Sequence, residues 1–278
     1  PDNITPETII QYRRWGVTRI QIGIQHYDDE ILKKVNRKCY TKDTIRAIRL
    51  LKQVGLKVVV HLMPDLPGSS PDKDKWMFDE AINNPDFQFD DIKLYPTAVI
   101  KSSFDDKHLV KSKMFEMYSN GDYTPYSEKN LQDLIDVCIY YKTHINPWVR
   151  IQRLVRDIPH TDIAAGYNGL SNLRQVIHNQ MKKRGLKCNC IRCMEIGEKE
   201  HENNTPILVV RKYHASSGTE YHISIEAHKM LLFQKLIYWF ILFLNFILYY
   251  ITEKHYYWSG NLDSYVGLHG FLRLRFDP

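Results

Sequence analysis

Residues 56–70 read LKVVVHLMPDLPGSS and give the clearest indication of the fold class. The run from residue 56 to residue 63 is almost continuously apolar and β-branched, which is typical of a strand buried in a parallel sheet. Two prolines and a glycine follow, so the next residues are predicted to form a loop. Just before the strand, residues 42–55 carry apolar side chains on one side and predict a helix that ends at Gly55. A helix followed by a buried strand and a loop indicates one unit of a parallel α/β fold.

The same alternation of helix and strand extends over the first 155 residues. Thr5 and Pro6 mark a helix start, because a capping hydroxyl is followed by proline in the first turn, and Gly16 is expected to end that helix. Residues 18–25 alternate apolar and polar side chains, which predicts a strand. Further strands are predicted at residues 90–96 and 147–155, and further helices at residues 76–83 and 129–142.

This alternation predicts a parallel sheet or a (βα)-type barrel. In such folds the active groups lie on the loops at the carboxyl ends of the strands. The candidate loops contain Gln25, residues 63–68, residues 95–97 and residues 153–157.

The second half of the chain changes in character. A helix predicted at residues 171–185 carries three cations in its last turn, where the helix dipole favours positive charge. Residues 206–226 are expected to form two strands around a glycine turn. Residues 231–251 are long and apolar enough to approach a bilayer's thickness, but they include Gln234 and Lys235. A membrane partner is therefore not expected.

Composition limits the class of protein. The chain has 278 residues, of which 44% are apolar, so it can bury a core in more than one domain. Its net charge of +6 permits a polyanionic partner such as nucleic acid without requiring one. Five cysteines, an odd number in a chain of this size, argue against a secreted disulfide framework. With no signal peptide at the start, we expect a cytoplasmic or nuclear protein, and both ends look cut.

Three of the cysteines, Cys188, Cys190 and Cys193, lie within six positions. Thiolates are strong ligands of zinc and iron, and the neighbouring cations Lys187 and Arg192 offset thiolate charge. The Cys-x-Cys-x-x-Cys spacing suits a closed structural zinc site that takes its fourth ligand from elsewhere in the chain.

The nearest candidate for that fourth ligand is His201, followed by His160 and His178. The alternative interpretation is three unligated thiols, although so close a group rarely arises for packing alone. The remaining cysteines, Cys39 and Cys138, show no such pattern and are expected to have no special chemistry.

Taken together, several stretches resemble the sequences of the Elongator catalytic subunit family. The members of that family are radical S-adenosylmethionine and acetyltransferase-like enzymes that modify the wobble uridine of tRNA. The most specific stretches are MPDLPGS at residues 63–69 and KLYPT at residues 93–97. All of them occur in the family's order and cover about residues 1–225 and 262–278. The other stretches are YRRWGVTRIQIGIQ, FDDIKLYPTAVI, GDYTPYS, PWVRIQRLVRDIP, NLRQVI, CNCIRCMEIG and VGLHGFLRLRF.

The resemblance implies a mechanism and its cofactors. A four-iron four-sulfur cluster cleaves S-adenosylmethionine reductively, and the deoxyadenosyl radical takes a hydrogen from the acetyl group of acetyl-CoA. The acetyl carbon then adds to C5 of uridine 34 and gives a carboxymethyl-type base. The protein's task would be to hold cofactor, acetyl group and base in a near-attack arrangement and to exclude water. Transfer RNA and other Elongator subunits are the implied partners.

The resemblance also implies the residues that bind S-adenosylmethionine. Gln25 would bond its ribose, and Arg37 would grip its carboxylate in a fork. Pro64, Asp65 and Gly68 belong to the loop on the cofactor side, where a proline and glycine turn allows close backbone approach. The alternatives are a solvated helix-end cation for Arg37 and an ordinary turn for the loop.

On the substrate side, Lys93 and Tyr95 end a strand, where they either face substrate or fill the barrel. A basic region elsewhere would position tRNA through its phosphates without reading its sequence, unless it is simply a solvated surface. By the resemblance, the three clustered cysteines are the family's structural zinc ligands. The basic region consists of Arg150, Arg153, Arg156, Arg174, Lys182, Lys183 and Arg184.

These assignments predict three domains. Residues 1–157 would form the C-terminal portion of a radical S-adenosylmethionine partial barrel. Residues 158–200 would form a helical linker with the zinc-binding cysteines. Residues 201–278 would hold the first strands of a GNAT-like acetyltransferase domain. The cysteine triad for the iron–sulfur cluster is expected upstream of this chain and the acetyl-CoA loop downstream, so the chain alone is expected to be inert.

Residues 227–258 have no counterpart in the family and interrupt the predicted acetyltransferase strands. The segment is a membrane anchor, a buried hydrophobic insertion or translated non-coding sequence. We favour the last, because its Ile, Phe, Tyr, Leu, Asn and Lys suit codons rich in A and T.

Other functions compete with the tRNA-modifying enzyme. The stretch at residues 19–37 also suits a radical S-adenosylmethionine enzyme of the coproporphyrinogen oxidase type, although the clustered cysteines argue against it. A zinc-bearing RNA-binding scaffold without chemistry is a second alternative. A protein acetyltransferase is a third, and it has no support because the acyl-donor loop is missing.

Overall fold

The structure is a computed structural model, and it divides into two compact units. The first unit is Pro1–Cys190 with Ala215–Ser217, and the second is Ile191–His214 with Gly218–Pro278. The domain boundaries predicted after residues 157 and 200 stay a prediction. The residues described are 1–101, 112–156, 158–167, 172–196, 205–228, 239–241, 243 and 265–277.

A four-stranded parallel sheet forms the centre of the first unit. Its strands adjoin one another in the order in which they occur along the chain, as expected for consecutive strand–helix units. The predicted parallel α/β architecture is therefore confirmed for this unit. The strands are β1 (Arg19–Gln25), β2 (Lys57–Leu62), β3 (Asp91–Leu94) and, after a short strand β4 (Ala98–Ile100) outside this sheet, β5 (Arg150–Arg153).

Helices connect these strands. The helix predicted before β2 runs from Thr41 to Gln53, and the one predicted at residues 129–142 runs from Leu131 to His144. Within the described residues, the helices are α1 (Pro6–Arg14), α2 (Asp29–Lys34), α3 (Thr41–Gln53), α4 (Pro71–Asn83), α5 (Lys113–Ser119), α6 (Tyr126–Lys129), α7 (Leu131–His144), α8 (Leu173–Lys183) and α9 (Ile191–Met194).

Capping groups explain where the helices begin. Thr5 accepts the Thr8 N–H while the Thr8 hydroxyl accepts the Thr5 N–H, which is a reciprocal capping box. The predicted helix at residues 42–55, α3, begins with Tyr40 as its N-cap, where the Asp43 carboxylate accepts the Tyr40 N–H. The Thr41 hydroxyl donates to Asp29, at 2.7 Å.

Strand β2, which the sequence predicted to be buried, is buried in the structure. Val58, Val59 and Val60 are each 0% exposed, so β2 is covered on both faces. Several short elements were not predicted from the sequence: α2, α5, α6, α9 and the antiparallel pair of β4 with β6 (Ile163–Gly166). These have only three to seven residues, too few to show a period.

Gly166 allows β4 and β6 to pair closely. Its φ is +121°, and an added Cβ would lie 2.4 Å from the carbonyl oxygen of Thr97, so only glycine fits this position without a shift of the backbone.

The second unit contains a three-stranded sheet in which β7 (Thr205–Ala215), β8 (Gly218–His228) and β9 (Tyr265–Phe276) adjoin in that order. Strands β8 and β9 pair antiparallel. The two strands predicted at residues 206–226 are confirmed. Their turn is not made by the glycine: Ser216 and Ser217 take the positive φ values, 49° and 69°, that a tight hairpin turn requires.

Among the described residues, no helix is long and apolar enough to cross a membrane. Most of residues 231–251, and of the predicted insertion at residues 227–258, lies outside the part of the chain that the structure describes. The predicted GNAT-like character of the second unit stays a prediction.

Candidate functional site

Gln25 ends β1 and takes an unusual backbone conformation, with φ at +72°. The register with β2 shifts between Gly23 and Gln25, which is a bulge that re-aims the side chain. The Gln25 carbonyl accepts the N–H of Met63 at 2.8 Å, so the ends of β1 and β2 are tied together.

Arg37 is fixed beside the same strand. Its Nη2 donates to the Gly23 carbonyl at 2.7 Å, and the side chain is half-buried. Its Nε is buried and has no hydrogen-bond partner among the described residues. This arginine is therefore not the solvated helix-end cation that the alternative interpretation offered.

Asp65 is 1% exposed, and its carboxylate is occupied by backbone donors. Oδ1 accepts the N–H of Tyr126 at 2.7 Å and Oδ2 accepts the N–H of Ser127 at 3.1 Å, where α6 begins. Burial raises the pKa of Asp65 to about 7; the hydrogen bonds from Ser127 and Tyr126 oppose this shift, and the charge of Asp74 adds to it. The carboxylate thus holds the loop on α6, and its assignment to the cofactor stays a prediction.

Asp74, on the first turn of α4, is the second buried carboxylate at this loop, and it is 0% exposed. It accepts the N–H of Asp65 at 2.7 Å, the hydroxyl of Ser69 at 2.5 Å and the hydroxyl of Tyr126 at 2.7 Å. These bonds connect both ends of the loop to α4.

His26 approaches the same carboxylate from the end of β1. Its Nδ1 accepts the N–H of Asp28 at 2.9 Å, which places the ring proton on Nε2. That Nε2 lies 3.5 Å from Oδ1 of Asp74, and both side chains are fully buried. The loop after β1 and the loop after β2 therefore meet at Asp74.

The loop after β3 joins this arrangement through Thr97. The Pro64 carbonyl accepts both the N–H of Thr97, at 3.0 Å, and its hydroxyl, at 2.8 Å. Gly68 has φ at +93°, and an added Cβ would lie 3.3 Å from Cδ of Lys34. Pro64 and Gly68 therefore shape the loop through their backbone.

Lys93 lies on one face of the parallel sheet with two side chains that the sequence analysis did not select. Its Nζ donates to Oε1 of Gln21 at 2.7 Å, and Nε2 of His61 lies 3.3 Å from the same oxygen. The ring of Tyr95 meets His61 edge-on at 5.4 Å between centroids. Burial lowers the pKa of His61, and the charges of Lys93 and Arg156 lower it further. Both effects favour the neutral form of the His61 imidazole.

The predicted basic residues fall into two groups. Arg150, Arg153 and Arg156 lie on β5 and just after it. The other four lie on α8 and at its C-cap, Arg184, which is bound to Asp136 at 2.7 Å with both side chains 41% exposed. The remaining three side chains of that group are exposed and are Arg174, Lys182 and Lys183.

The three clustered cysteines converge. Their sulfur atoms all lie within 4.8 Å of one another, with Cys190 buried and Cys188 and Cys193 half-buried. None of the three forms a disulfide bond with a described residue, and three convergent thiolates suit a zinc ion. Of the candidate fourth ligands, only His178 has a described side chain, and it is not part of the group.

Two protein-family models and a solved structure match this chain. A model of the Radical SAM superfamily matches residues 1–80, and a model of the Radical_SAM C-terminal domain matches residues 89–183. A solved structure of the archaeal Methanocaldococcus infernus Elp3 with an N-terminal deletion (1–46) is 40% identical, with a TM-score of 0.72 over 81% of this chain and 51% of that one. The first unit therefore has a radical SAM fold.

Curated relatives narrow the class. The tRNA uridine(34) acetyltransferase of Methanocaldococcus infernus is 40% identical over 81% of this chain and 41% of its own length. Elongator complex protein 3 of Schizosaccharomyces pombe is 34% identical over 82% of this chain and 40% of its own length. The chain is homologous to these proteins over the matched residues, which confirms the resemblance, and it spans about two fifths of their length.

Proposed function

We propose that this chain is part of an enzyme that carboxymethylates uridine 34 of tRNA, using acetyl-CoA and a radical derived from S-adenosylmethionine, as the catalytic subunit of an Elongator-like complex. Relatives named for tRNA uridine(34) and for Elongator support the substrate and the partners. The observation that carries the proposal is the meeting of Gln25, Arg37 and the loop at residues 64–69 around the carboxyl ends of β1 and β2. We place the protein in the cytoplasm, or else in the nucleus.

S-adenosylmethionine, when bound, would be the precursor of the radical. Arg37 fits its carboxylate, because Nη2 is anchored on Gly23 while the buried Nε has no partner among the described residues. A guanidinium held at one nitrogen presents its other N–H groups in a fixed direction. Gln25 would bond the ribose, and Pro64 and Gly68 would let the backbone approach the cofactor.

The iron–sulfur cluster and acetyl-CoA have no ligands assigned in this chain. Among the described residues, the single group of three or more potential metal ligands is the cysteine cluster at residues 188–193. The ligands of the iron–sulfur cluster and the acyl-donor loop are proposed to lie in other parts of the full-length gene product.

A direct assay tests the proposal. The full-length gene product, with its iron–sulfur cluster reconstituted, is incubated with tRNA, S-adenosylmethionine and acetyl-CoA labelled in the acetyl group. We expect label in the nucleoside from position 34, with none when S-adenosylmethionine is omitted. Tight tRNA binding with no label under any condition would contradict the enzyme and leave the scaffold alternative.

We propose that Cys188, Cys190 and Cys193 hold a structural zinc ion. Metal analysis of the purified protein is expected to give about one zinc per chain, and Cys190→Ser is expected to lose it. Cys138→Ser is the matched control, because Cys138 is a buried thiol in α7 outside the cluster. Stoichiometric iron in place of zinc at this cluster would contradict the assignment.

We propose that tRNA phosphates contact Arg153 and Arg156, with Lys93 and Tyr95 nearer the base. Reversing both arginines to glutamate should weaken tRNA binding and flatten its dependence on salt. Reversing Arg13 and Arg14 is the matched control, since both are exposed on α1 and change the net charge equally. Equal losses in the two double variants would remove Arg153 and Arg156 from the interface.

A further inference from the structure

Asp74 and Tyr126 form a junction through their side chains, and the sequence analysis gave neither residue a role. Asp74 is 0% exposed, so it cannot touch a cofactor or substrate. Its contacts instead reach the loop at residues 65–69, which carries the candidate cofactor residues. Any effect of Asp74 on the candidate cofactor site must therefore act through the loop.

The Asp74 carboxylate is bonded to both ends of that loop. One oxygen accepts the backbone N–H of Asp65 at 2.7 Å, and the other accepts the hydroxyl of Ser69 at 2.5 Å. Within the loop, the N–H of Ser69 donates to the carbonyl of Leu66 at 2.8 Å. Two anchors on one rigid helix define the separation of the loop's ends.

Tyr126 connects the two buried carboxylates. Its hydroxyl donates to Asp74 at 2.7 Å, while its backbone N–H donates to Asp65 at 2.7 Å. The hydroxyl of Tyr123 also donates to the Asp65 carbonyl. The start of α6 and the residues just before it thus bond to the loop and to Asp74 on α4.

We propose that Asp74 and Tyr126 are positioning residues that hold the loop at residues 65–69 in the conformation that accepts S-adenosylmethionine, an inference that rests on the proposed function. Asp74 joins the loop to α4, and Tyr126 joins it to α6. His26, which follows β1, packs against the same junction, with its Nε2 3.5 Å from Oδ1 of Asp74 but not hydrogen-bonded to it.

Removal of a single hydroxyl tests the proposal. Tyr126→Phe deletes the donor to Asp74 and keeps the ring, and Ser69→Ala deletes the second hydroxyl donor if the first variant does not fold. Tyr140→Phe is the matched control, because the Tyr140 hydroxyl also donates to a carboxylate, Asp79, at 2.7 Å away from the loop. All variants are made in the full-length gene product.

Two measurements are made on each variant: amide hydrogen exchange of residues 63–70, and the KM and kcat for S-adenosylmethionine. We expect Tyr126→Phe to speed exchange in the loop about 5- to 10-fold and to raise KM by a similar factor. The kcat should stay within about twofold, because the reacting groups are untouched. Tyr140→Phe should change neither measurement.

The outcomes separate the inference from the function. Unchanged loop exchange in both Tyr126→Phe and Ser69→Ala would show that the junction does not hold the loop. Faster exchange with an unchanged KM would overturn the link to the cofactor and leave the proposed function intact. If the unmodified protein fails to bind S-adenosylmethionine, the proposed function and the link to the cofactor both fail, while the exchange data still decide whether the junction holds the loop.

Discussion

Two regions of this molecule bury pairs of acidic side chains, and they hold them in different ways. In the first unit, backbone N–H groups and hydroxyls contact Asp65 and Asp74. In the second unit, Glu220 and Glu226 on β8 are contacted by arginine side chains from the neighbouring strands. Neutral donors fix a carboxylate in space and leave its negative charge in place. A guanidinium fixes the carboxylate and also neutralises its charge. The first pair therefore defines the shape of a loop, where burial raises the pKa of Asp65, and the second pair stabilises a sheet.

The largest expected effect comes from breaking an arginine pair. Arg211 donates to both oxygens of Glu226, and Ser224 donates to the same carboxylate at 2.7 Å. Arg211→Ala leaves the Glu226 charge buried without its guanidinium and should destabilise the sheet by about 3 kcal/mol. Amide hydrogen exchange in β8 measures this loss.

Lys212→Ala is the control for that experiment, since Lys212 is the next residue on β7 and is exposed. It should change the free energy of opening by less than about 0.5 kcal/mol. If both variants had equal effects, the buried ion pair would not be what stabilises the sheet.

The sequence predicted the strands of this sheet but not which of their side chains are buried. Alternation in β8 indicates a strand, and the usual interpretation would place the apolar side chains inward and the acidic ones in water. The structure does the reverse: Glu220 and Glu226 are each 1% exposed, while Ile225 is 46% exposed. The partner arginines come from β7 and β9, and no local pattern in β8 could reveal them.

A pH experiment distinguishes the two kinds of carboxylate. Burial raises the pKa of Asp65 to about 7, above its ordinary value of 3.8. The folded protein therefore keeps a proton that the unfolded chain has lost, so this group lowers stability progressively as pH rises from about 4 to about 7. The free energy of unfolding should fall by up to about 1.4 kcal/mol per pH unit from this group.

Asp65→Asn should remove that contribution to the slope. Asp72→Asn is the control, because the Asp72 side chain is 96% exposed and should leave the slope unchanged. An identical pH dependence in the unmodified protein and Asp65→Asn would show that the buried carboxylate does not titrate in this range.

A smaller effect is expected where the loop after β3 meets the same region. Thr97→Val keeps the shape of a fully buried side chain and deletes the hydroxyl that donates to Pro64 at 2.8 Å. The free energy of unfolding should fall by about 1 kcal/mol, measured by denaturant titration. Thr143→Val is the control and should cost less, because the Thr143 hydroxyl bonds locally, to two carbonyls within α7 and to Nδ1 of the exposed, adjacent His144. A larger loss for Thr143→Val would contradict this ranking.

The part of the candidate site that lies at the carboxyl ends of the strands was predictable from the sequence. Gln25 and the loop after β2 lie at carboxyl ends of parallel strands, as the alternation of elements indicated. Asp74 was not predictable, because an aspartate in the first turn of a helix usually faces water and favours the dipole. Its burial depends on Tyr126, 52 residues away, a distance over which no periodic pattern extends.

The most direct test of the central claim is the nucleoside content of tRNA in cells that lack the gene. Mass spectrometry of digested tRNA should show that carboxymethyl-type uridine at position 34 is lost in the deletion strain and restored by the full-length gene. Restoration should be strongly reduced with Arg37→Ala, which removes the proposed contact to S-adenosylmethionine. An undiminished level of the modified uridine in the deletion strain would contradict the account.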